Sequence, residues 1–154
     1  MSIAYFDTSA LLKQYVSEVG SGWVNALLSF SSPPAVFTSH LTVIEATCAF
    51  ARRLREGTLS STDHAKLLSA FNYDVTYKYN IVDVMPVTID TACQLANKHP
   101  LRAYDAVQLA TAWLTNQTLV RVDRSPLTFI SADDRLINVA VAEGLLTDNP
   151  NRHP

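Results

Sequence analysis

Four acidic residues stand where an α/β protein commonly places its chemistry. Asp7 directly follows the first apolar run of the chain, and Asp133 lies just after the fourth such run. Glu45 and Asp105 come at or near the starts of two helical patterns. Ligands of an open parallel sheet bind outside the carboxyl ends of its strands. We therefore expect these carboxylates to gather over one edge of a sheet.

Gathered carboxylates repel one another, and only bound cations or raised pKa values relieve that repulsion. Hard oxygen ligands suit Mg²⁺ or Mn²⁺, which keep several waters and engage phosphate groups. The histidines offer no competing zinc site, because they are scattered along the chain: His40, His64, His99 and His153. The net charge of −2 disfavours a broad basic surface for nucleic acid, but it is compatible with a metal-dependent enzyme.

Each acid also has a structural explanation when it is taken alone. Asp7 could cap the first helix, and Thr42 with Glu45 has the spacing of a capping box. Asp105 and Asp133 could favour the positive ends of their helices. A cap needs no charge, however, since Ser or Asn serves as well. The set of four is therefore better explained by metal binding than by four caps.

The elements that must position these acids alternate along the chain. Strand-like runs span residues 3–6, 35–38, 81–84 and 127–131, with a weaker one near 145–147. Helical patterns span 42–56, 61–79, 89–98, 103–116 and 135–143, and two less sharply bounded helices fill 10–30. Strands separated by helices pair in parallel through crossover connections. We predict an α/β fold, a three-layer α/β/α sandwich with a central parallel sheet of about five strands.

The composition predicts one domain. A chain of 154 residues with 48% apolar and 17% charged side chains suffices for a single core, which we place at 1–148, with a frayed tail at 149–154. No stretch is long and apolar enough to span a membrane and none is typical of a targeting segment, so we expect a cytoplasmic protein. Cys48 and Cys93 fall in apolar helical patterns, and we expect two buried thiols rather than a disulfide.

Four sequence blocks, in this order and spacing, resemble the PIN domain family. They are FDTSALL at 6–12, LTVIE at 41–45, LRAYDAVQLATA at 101–112 and FISADDRL at 129–136. Within the family, the chain is most similar to the VapC-type toxin ribonucleases of bacterial type II toxin–antitoxin systems. The Asp-Thr-Ser sequence alone would be a weak signal, but the four blocks together are specific. The resemblance extends from residue 3 to about residue 147.

This resemblance implies roles for particular residues. Four residues match the acidic quartet of the family: Asp7, Glu45, Asp105 and Asp133. The first, third and fourth would coordinate the principal Mg²⁺, while the second would hold another ion or orient the attacking water. Ser9 matches the hydroxyl that orients the first carboxylate, and Ser131 stands where the family has Thr or Ser. The spacing favours Asp133 over Asp134 as the last ligand, and roles for Asp134 and Asp123 stay open.

The resemblance further implies a Mg²⁺- or Mn²⁺-dependent endoribonuclease that leaves a 5′-phosphate and a 3′-hydroxyl on RNA. It implies a homodimer and a small cognate antitoxin across the site, for which Trp23, Leu27, Leu28 and Phe30 offer apolar surface. The alternative is a PIN-like domain that binds RNA or a partner without cutting, but such domains usually lack an acid and none is missing here. A phosphatase that forms an aspartyl-phosphate needs a second Asp where this chain has Ser9.

Basic side chains near the predicted site are candidates for holding the RNA backbone. Arg52 lies seven residues after Glu45 in one helical pattern, so both side chains share a face about 10 Å apart along the axis. We expect Arg52 to contact a phosphate next to the cleaved one. Further candidates are Lys13, Arg53, Arg55, Arg102 and Arg135. The aromatic residues Tyr15, Trp23 and Tyr104 sit in apolar patterns and are expected in the core or an interface.

Overall fold

Five parallel strands form the central sheet. The computed structural model describes residues 2–153. The strands are β1 (Ile3–Phe6), β2 (Ala35–Ser39), β3 (Asn80–Val82), β4 (Thr128–Ile130) and β5 (Leu146–Asp148). In the sheet they lie in the order β3-β2-β1-β4-β5, and every neighbouring pair is parallel. The chain therefore adds strands first to one side of β1 and later to the other, so that β1 lies at the switch point.

Helices cover both faces of this sheet and confirm the predicted three-layer α/β/α sandwich. The α-helices are α1 (Thr8–Leu11), α2 (Ser21–Ser29), α3 (His40–Arg55), α4 (Ser61–Tyr77), α5 (Pro86–Lys98), α6 (Ala103–Arg121) and α7 (Asp134–Ala142). Short 3-10 helices lie at Leu12–Gln14 and Pro150–Arg152. No helix within residues 2–153 is long and apolar enough to cross a membrane.

Two hydrophobic cores lie on opposite faces of the sheet. Successive side chains of a strand point to opposite faces, and both Tyr5 and Phe6 of β1 are 0% exposed. Tyr5 belongs to the core that α5, α6 and α7 cover, where it stacks on Phe129. Phe6 belongs to the core under α1 to α4, which includes Phe50 and Phe71. Burial on both faces explains why β1 is apolar without alternation.

The helix boundaries differ from the prediction for identifiable reasons. α3 begins at His40, two residues before the predicted start, because the Ser39 side chain caps it by accepting a hydrogen bond from the Leu41 amide. α6 continues to Arg121 rather than ending at residue 116, since no Gly or Pro interrupts 116–121. The turn that follows α6 places Asp123 at a positive φ of 55°.

The tail predicted to fray after residue 148 is packed against the domain. Asn149 and Pro150 are buried, and the Asn149 side chain donates to Asp134 at 2.8 Å. The ring of His153 stacks on Trp23 with 4.5 Å between ring centroids. These contacts hold the segment in place, so the prediction of a frayed end is wrong for residues 149–153. Pro154 lies outside the described residues.

The prediction of buried thiols is also wrong. Cys48 and Cys93 are free, as expected, but both are exposed. Each lies on the outer side of an amphipathic helix, α3 or α5, whose inner positions are taken by residues such as Ala46 and Ala92. A small apolar side chain in a helical pattern does not by itself identify the buried face.

Gly20 provides a test of how tightly the C-terminal segment packs. Its φ is +84°, and a Cβ there would lie 2.4 Å from the Pro150 carbonyl oxygen. We expect Gly20→Ala to lower the free energy of unfolding by about 3 kcal/mol in urea titrations, from the left-handed backbone and the overlap together. Gly57→Ala is the matched control, because its φ is +73° with nothing within 4 Å; it should cost about 1 kcal/mol. Equal losses would contradict the packing described.

Candidate active site

Asp7 lies at the C-terminal end of β1 and caps α1. Its Oδ1 accepts the backbone N–H of Ala10 at 2.9 Å and the Ser9 hydroxyl at 2.8 Å, and its Oδ2 accepts the Ser131 hydroxyl at 2.7 Å. The residue is only 5% exposed. Burial raises the pKa of Asp7 to about 6 in spite of these donors, and the charge of Asp105 raises it further. Asp7 is thus both a helix cap and a buried acid whose charged form is disfavoured by burial.

Glu45 does not cap α3, although its spacing from Thr42 allowed a capping box. Its Oε1 accepts the Thr8 hydroxyl at 2.9 Å and the Gln108 amide Nε2 at 3.0 Å. The carboxylate therefore connects α3 with α1 and α6 beside the end of β1. Hydrogen bonds to two different elements fix its position more firmly than a local cap would.

Gln108 has no role in the prediction from sequence, yet it organises the buried side of this site. It is 3% exposed; its Oε1 accepts the Tyr5 hydroxyl at 2.8 Å, and its Nε2 donates to Thr42 at 2.8 Å and to Glu45 at 3.0 Å. A buried amide needs such partners. Its place in the apolar run of α6, three residues after Asp105, is the signal that could have identified it.

Asp105 occupies the first turn of α6 and is half-buried. No hydrogen bond to its carboxylate forms within the described residues. Burial raises its pKa, and the charges of Asp133 and Glu45 raise it further, whereas Arg102 and Arg135 act in the opposite direction. Asp105 therefore lies within electrostatic reach of the other three acids.

Asp133 caps α7 at the end of the loop that follows β4. Its Oδ1 accepts the backbone N–H groups of Arg135 at 2.8 Å and Leu136 at 3.4 Å. Its own amide donates to the Ser131 hydroxyl at 3.1 Å, and that hydroxyl donates in turn to Asp7. The structure thus brings the four predicted acids to one end of the sheet, as their positions in the sequence suggested.

The donor chemistry of this site fits a hard divalent cation. All four side chains offer oxygen, and none forms an ion pair within 4.0 Å among residues 2–153. Mutual repulsion contributes to the raised pKa values of Asp7 and Asp105. In their present rotamers, no three His, Cys, Asp or Glu side chains of the described residues are placed to hold a metal ion. A cation would therefore have to draw these carboxylates closer together.

Two grooves are lined in part by these acids. One includes Asp105 and Asp133 together with Arg102 and Arg135. The other is lined by Glu45 and by Ile44, Cys48, Ala49, Arg52, Arg55 and Tyr104. Arg52 and Glu45 share a groove, as their spacing on α3 predicted. Tyr104 is 62% exposed, so it does not lie in the core, one of the two places expected for it.

Three other residues considered from sequence are buried, bonded elsewhere or distant from the four acids. Lys13, a candidate for RNA contact, is 4% exposed and donates to the Val19 carbonyl at 2.7 Å. Its ammonium group is therefore not available to RNA. Asp134 accepts Arg152 at 2.8 Å, and this hydrogen bond lowers its pKa. Asp123 follows the far end of α6, whose 19 residues span about 28 Å.

A parallel sheet with acids gathered at its switch point defines an α/β protein with a polar site beyond β1. The match to a family model then identifies the family: the model for the PIN domain matches residues 4–142, and the chain belongs to that family. PIN domains are generally nucleases and typically use divalent metal ions. A comparison with curated proteins gives no match.

Solved structures with a similar fold include toxin–antitoxin assemblies. A toxin–antitoxin complex from Klebsiella pneumoniae has 17% sequence identity and a TM-score of 0.63, covering 96% of this chain and 97% of that chain. VapBC2 from Rickettsia felis, bound to a promoter DNA fragment, has 13% identity and a TM-score of 0.63, with 96% and 98% covered. DNA-bound VapBC from Salmonella typhimurium has 12% identity and a TM-score of 0.58, with 97% and 99% covered. At these identities the likeness establishes the fold.

The raised pKa of Asp7 predicts how stability depends on pH in the absence of divalent cations. The folded protein holds this proton more tightly than the unfolded chain, so the free energy of unfolding should fall as pH rises from 3.8 to about 6. Asp7→Asn keeps a good helix cap and removes the charge. In EDTA at pH 7.5 we expect it to be about 1–3 kcal/mol more stable than wild type.

The control for this comparison is Asp90→Asn, which changes an exposed acid on α5. It should leave the free energy of unfolding within about 0.5 kcal/mol of wild type. Urea titrations of the three proteins from pH 4 to pH 8 measure the effect. If the free energy of unfolding depends on pH in the same way for wild type and Asp7→Asn, then burial of the Asp7 carboxylate has no electrostatic cost.

Proposed function

We propose that this PIN domain is a Mg²⁺- or Mn²⁺-dependent endoribonuclease that acts as the toxin of a VapBC-type toxin–antitoxin pair in the cytoplasm. One observation carries the nuclease proposal: four carboxylates without an ion-pair partner in the described residues surround the end of β1, and two of them have raised pKa values. Such a set is costly for the fold alone. It is suited to hold a cation against a phosphodiester.

The residues that would hold the metal are Asp7, Glu45, Asp105 and Asp133. A bound divalent cation supplies a more acidic water and compensation for the charge that develops on phosphorus. The chain itself restrains two of these ligands before a cation draws the set together. Ser9 and Ser131 fix the oxygens of Asp7, while Gln108 and Thr8 fix an oxygen of Glu45. Ligands held in this way lose little conformational entropy when the substrate arrives.

A carboxylate beside the metal would accept a proton from the attacking water, a role secondary to the acidification of that water by the cation. Asp105 makes no hydrogen bond within the described residues, so its oxygens are free for a cation or a water. Attack by water forms a new P–O bond and breaks the bond between phosphorus and the 3′ oxygen, which takes up a proton. The products carry a 5′-phosphate and a 3′-hydroxyl, as the resemblance to VapC-type ribonucleases implies.

Two arginines support a substrate that extends beyond the cleaved phosphate. Arg102 shares a groove with Asp105 and Asp133, and Arg52 shares a second groove with Glu45. A guanidinium group binds phosphate through paired donors. RNA phosphates near the cut would therefore meet a cationic side chain, while the cut phosphate would meet the acids and their metal.

The proposed partners are a cognate antitoxin and a second copy of the chain. The solved structures with this fold are toxin–antitoxin and VapBC assemblies, which supports an antitoxin partner. On and after α2, Phe30 is 65% exposed, and Trp23, Leu27 and Leu28 are half-buried. The exposed ring of Phe30 and the partly exposed apolar side chains of α2 favour contact with another protein.

The nuclease proposal predicts metal-dependent cleavage of RNA. Purified protein should cut labelled single-stranded RNA in Mg²⁺ or Mn²⁺, and EDTA should stop cleavage. Asp7→Asn, Glu45→Gln and Asp105→Asn should each reduce the rate by about 100-fold or more, whereas Asp90→Asn should not. Mn²⁺ should also raise the melting temperature of wild type but not of Asp7→Asn.

Cleavage that persists in EDTA, or in the Asp105→Asn variant, would contradict the mechanism. A melting temperature that Mn²⁺ leaves unchanged, together with intact RNA, would instead favour a PIN-like domain that binds without cutting. Single-stranded DNA of the same sequence is the control for substrate class. Faster cleavage of DNA than of RNA would overturn the assignment as a ribonuclease.

The toxin proposal predicts growth arrest. Induced expression in a bacterial host should reduce the number of colonies by about 100-fold or more, because loss of an essential RNA blocks growth. Expression of Asp7→Asn at equal soluble abundance should leave the number of colonies unchanged. Co-expression of a small neighbouring gene should restore growth. Normal growth with soluble, RNA-cleaving protein would reject the toxin role and leave the nuclease role standing.

A further inference from the structure

The groove between α3 and α6 contains features that catalysis at the four acids does not require. Its volume is about 430 Å³, and it reaches the acidic site at Glu45. Two arginines and one tyrosine line it: Arg52, Arg55 and Tyr104. Cations and an exposed aromatic ring beside a site for phosphodiesters are the two elements that recognise single-stranded nucleic acid.

On the α3 side of the groove, two arginine side chains follow Glu45 along the helix. Arg52 and Arg55 follow Glu45 by seven and ten residues, which corresponds to about 10 and 15 Å along the helix axis. The two arginines are three residues apart and therefore neighbours on one helix face. Neither forms an ion pair among residues 2–153. Both guanidinium groups are therefore available to an anionic ligand.

The α6 wall presents an aromatic face. Tyr104 is 62% exposed, and within the described residues its ring pairs with no other aromatic group and its hydroxyl makes no hydrogen bond. It directly precedes Asp105 in the first turn of the helix. Across the groove, Cys48 and Ala49 are small side chains, so space for a flat group remains beside the ring.

We propose that this groove binds one unpaired nucleotide adjacent to the cleaved phosphodiester, with its base stacked on Tyr104 and the next two phosphates of the strand on Arg52 and Arg55. The inference rests on the proposed ribonuclease function and adds a specificity determinant to it. A base inside a duplex has both faces covered by its neighbours and cannot stack on a side chain. The groove therefore selects single-stranded RNA or a looped-out base over a continuous helix.

Binding measurements test the aromatic contact. In an Asp7→Asn background, which prevents cleavage, Tyr104→Ala should weaken the affinity for a fluorescein-labelled eight-nucleotide RNA by about 5- to 100-fold, and Tyr104→Phe should stay within about 2-fold of its parent. Tyr77→Ala is the control, since Tyr77 is 72% exposed on α4 and does not line the groove. The same RNA annealed to its complement should bind Tyr104→Ala and its parent equally.

Salt dependence tests the arginines separately. Each phosphate contact adds about 0.7 to the slope of log K against log salt for single strands, so Arg52→Ala and Arg55→Ala should each reduce the slope by about that amount. Arg121→Ala is the matched control, because Arg121 is exposed at the opposite end of α6. An unchanged slope in the Arg52 and Arg55 variants would remove the phosphate contacts from the proposal.

A chemical double-mutant cycle links the groove to cleavage. With a defined substrate, replacing the base at one position beside the cut by an abasic nucleotide should lower kcat/KM for wild type by about 5-fold or more and for Tyr104→Ala by less than 2-fold. Equal losses in both proteins would overturn the proposal. So would a Tyr104→Ala protein that binds RNA normally but loses a co-expressed antitoxin, because the groove would then bind protein.

The nucleotide-binding groove and the ribonuclease activity can fail independently. RNA that binds in a Tyr104-dependent manner but is never cut would refute the ribonuclease activity and support the nucleotide-binding groove. Metal-dependent cleavage that does not change when Tyr104, Arg52 or Arg55 is substituted would support the ribonuclease activity and refute the nucleotide-binding groove.

Discussion

Enclosure of the Asp7 carboxylate at the end of the central strand is the constraint on which the rest of the site depends. The Asp7 amide donates to the Ile130 carbonyl of β4 at 3.0 Å, and its oxygens accept from α1 and from the loop after β4. On the other side, the Thr38 hydroxyl of β2 donates to the Phe6 carbonyl at 2.8 Å. A buried charge is tolerated only when it is hydrogen-bonded. The loops that supply these donors are therefore fixed by the need to accommodate one acid.

The same enclosure lowers the stability of the fold, because it brings carboxylates together without a cationic partner. The chain gives its acids hydroxyl, amide and helix-terminal donors, but within residues 2–153 it pairs none of them with a cation. Hydrogen bonds position a carboxylate, whereas they do not cancel the repulsion between neighbouring carboxylates. Under the proposed function, a divalent cation from solution would compensate that repulsion. Sites of this kind cost their folds stability and are retained for function.

How far the sequence could predict this structure depends on the range of each signal. The alternation of strand and helix predicted the sheet, and the positions after strands predicted where Asp7 and Asp133 lie. The role of Gln108 in the site could not be predicted in this way, because its hydrogen-bond partners on β1 and α3 are distant in sequence. Lys13 and Asn149 have polar side chains that a sequence suggests are exposed, yet tertiary contacts bury both. Local pattern identified the elements, and packing decided which polar residues became internal.

The hydrogen bond between Ser131 and Asp7 joins residues 124 positions apart. Before β4 is available, β1 has only β2 beside it, and the loop that carries Asp133 does not exist. A chain still being synthesised therefore carries Asp7 before the loop that holds Asp133, and contacts this distant in sequence form late. An incomplete chain carries the first acid without the last. Under the proposed function, the complete set of acids exists only after synthesis has passed β4, which leaves an interval in which the proposed antitoxin can already be present.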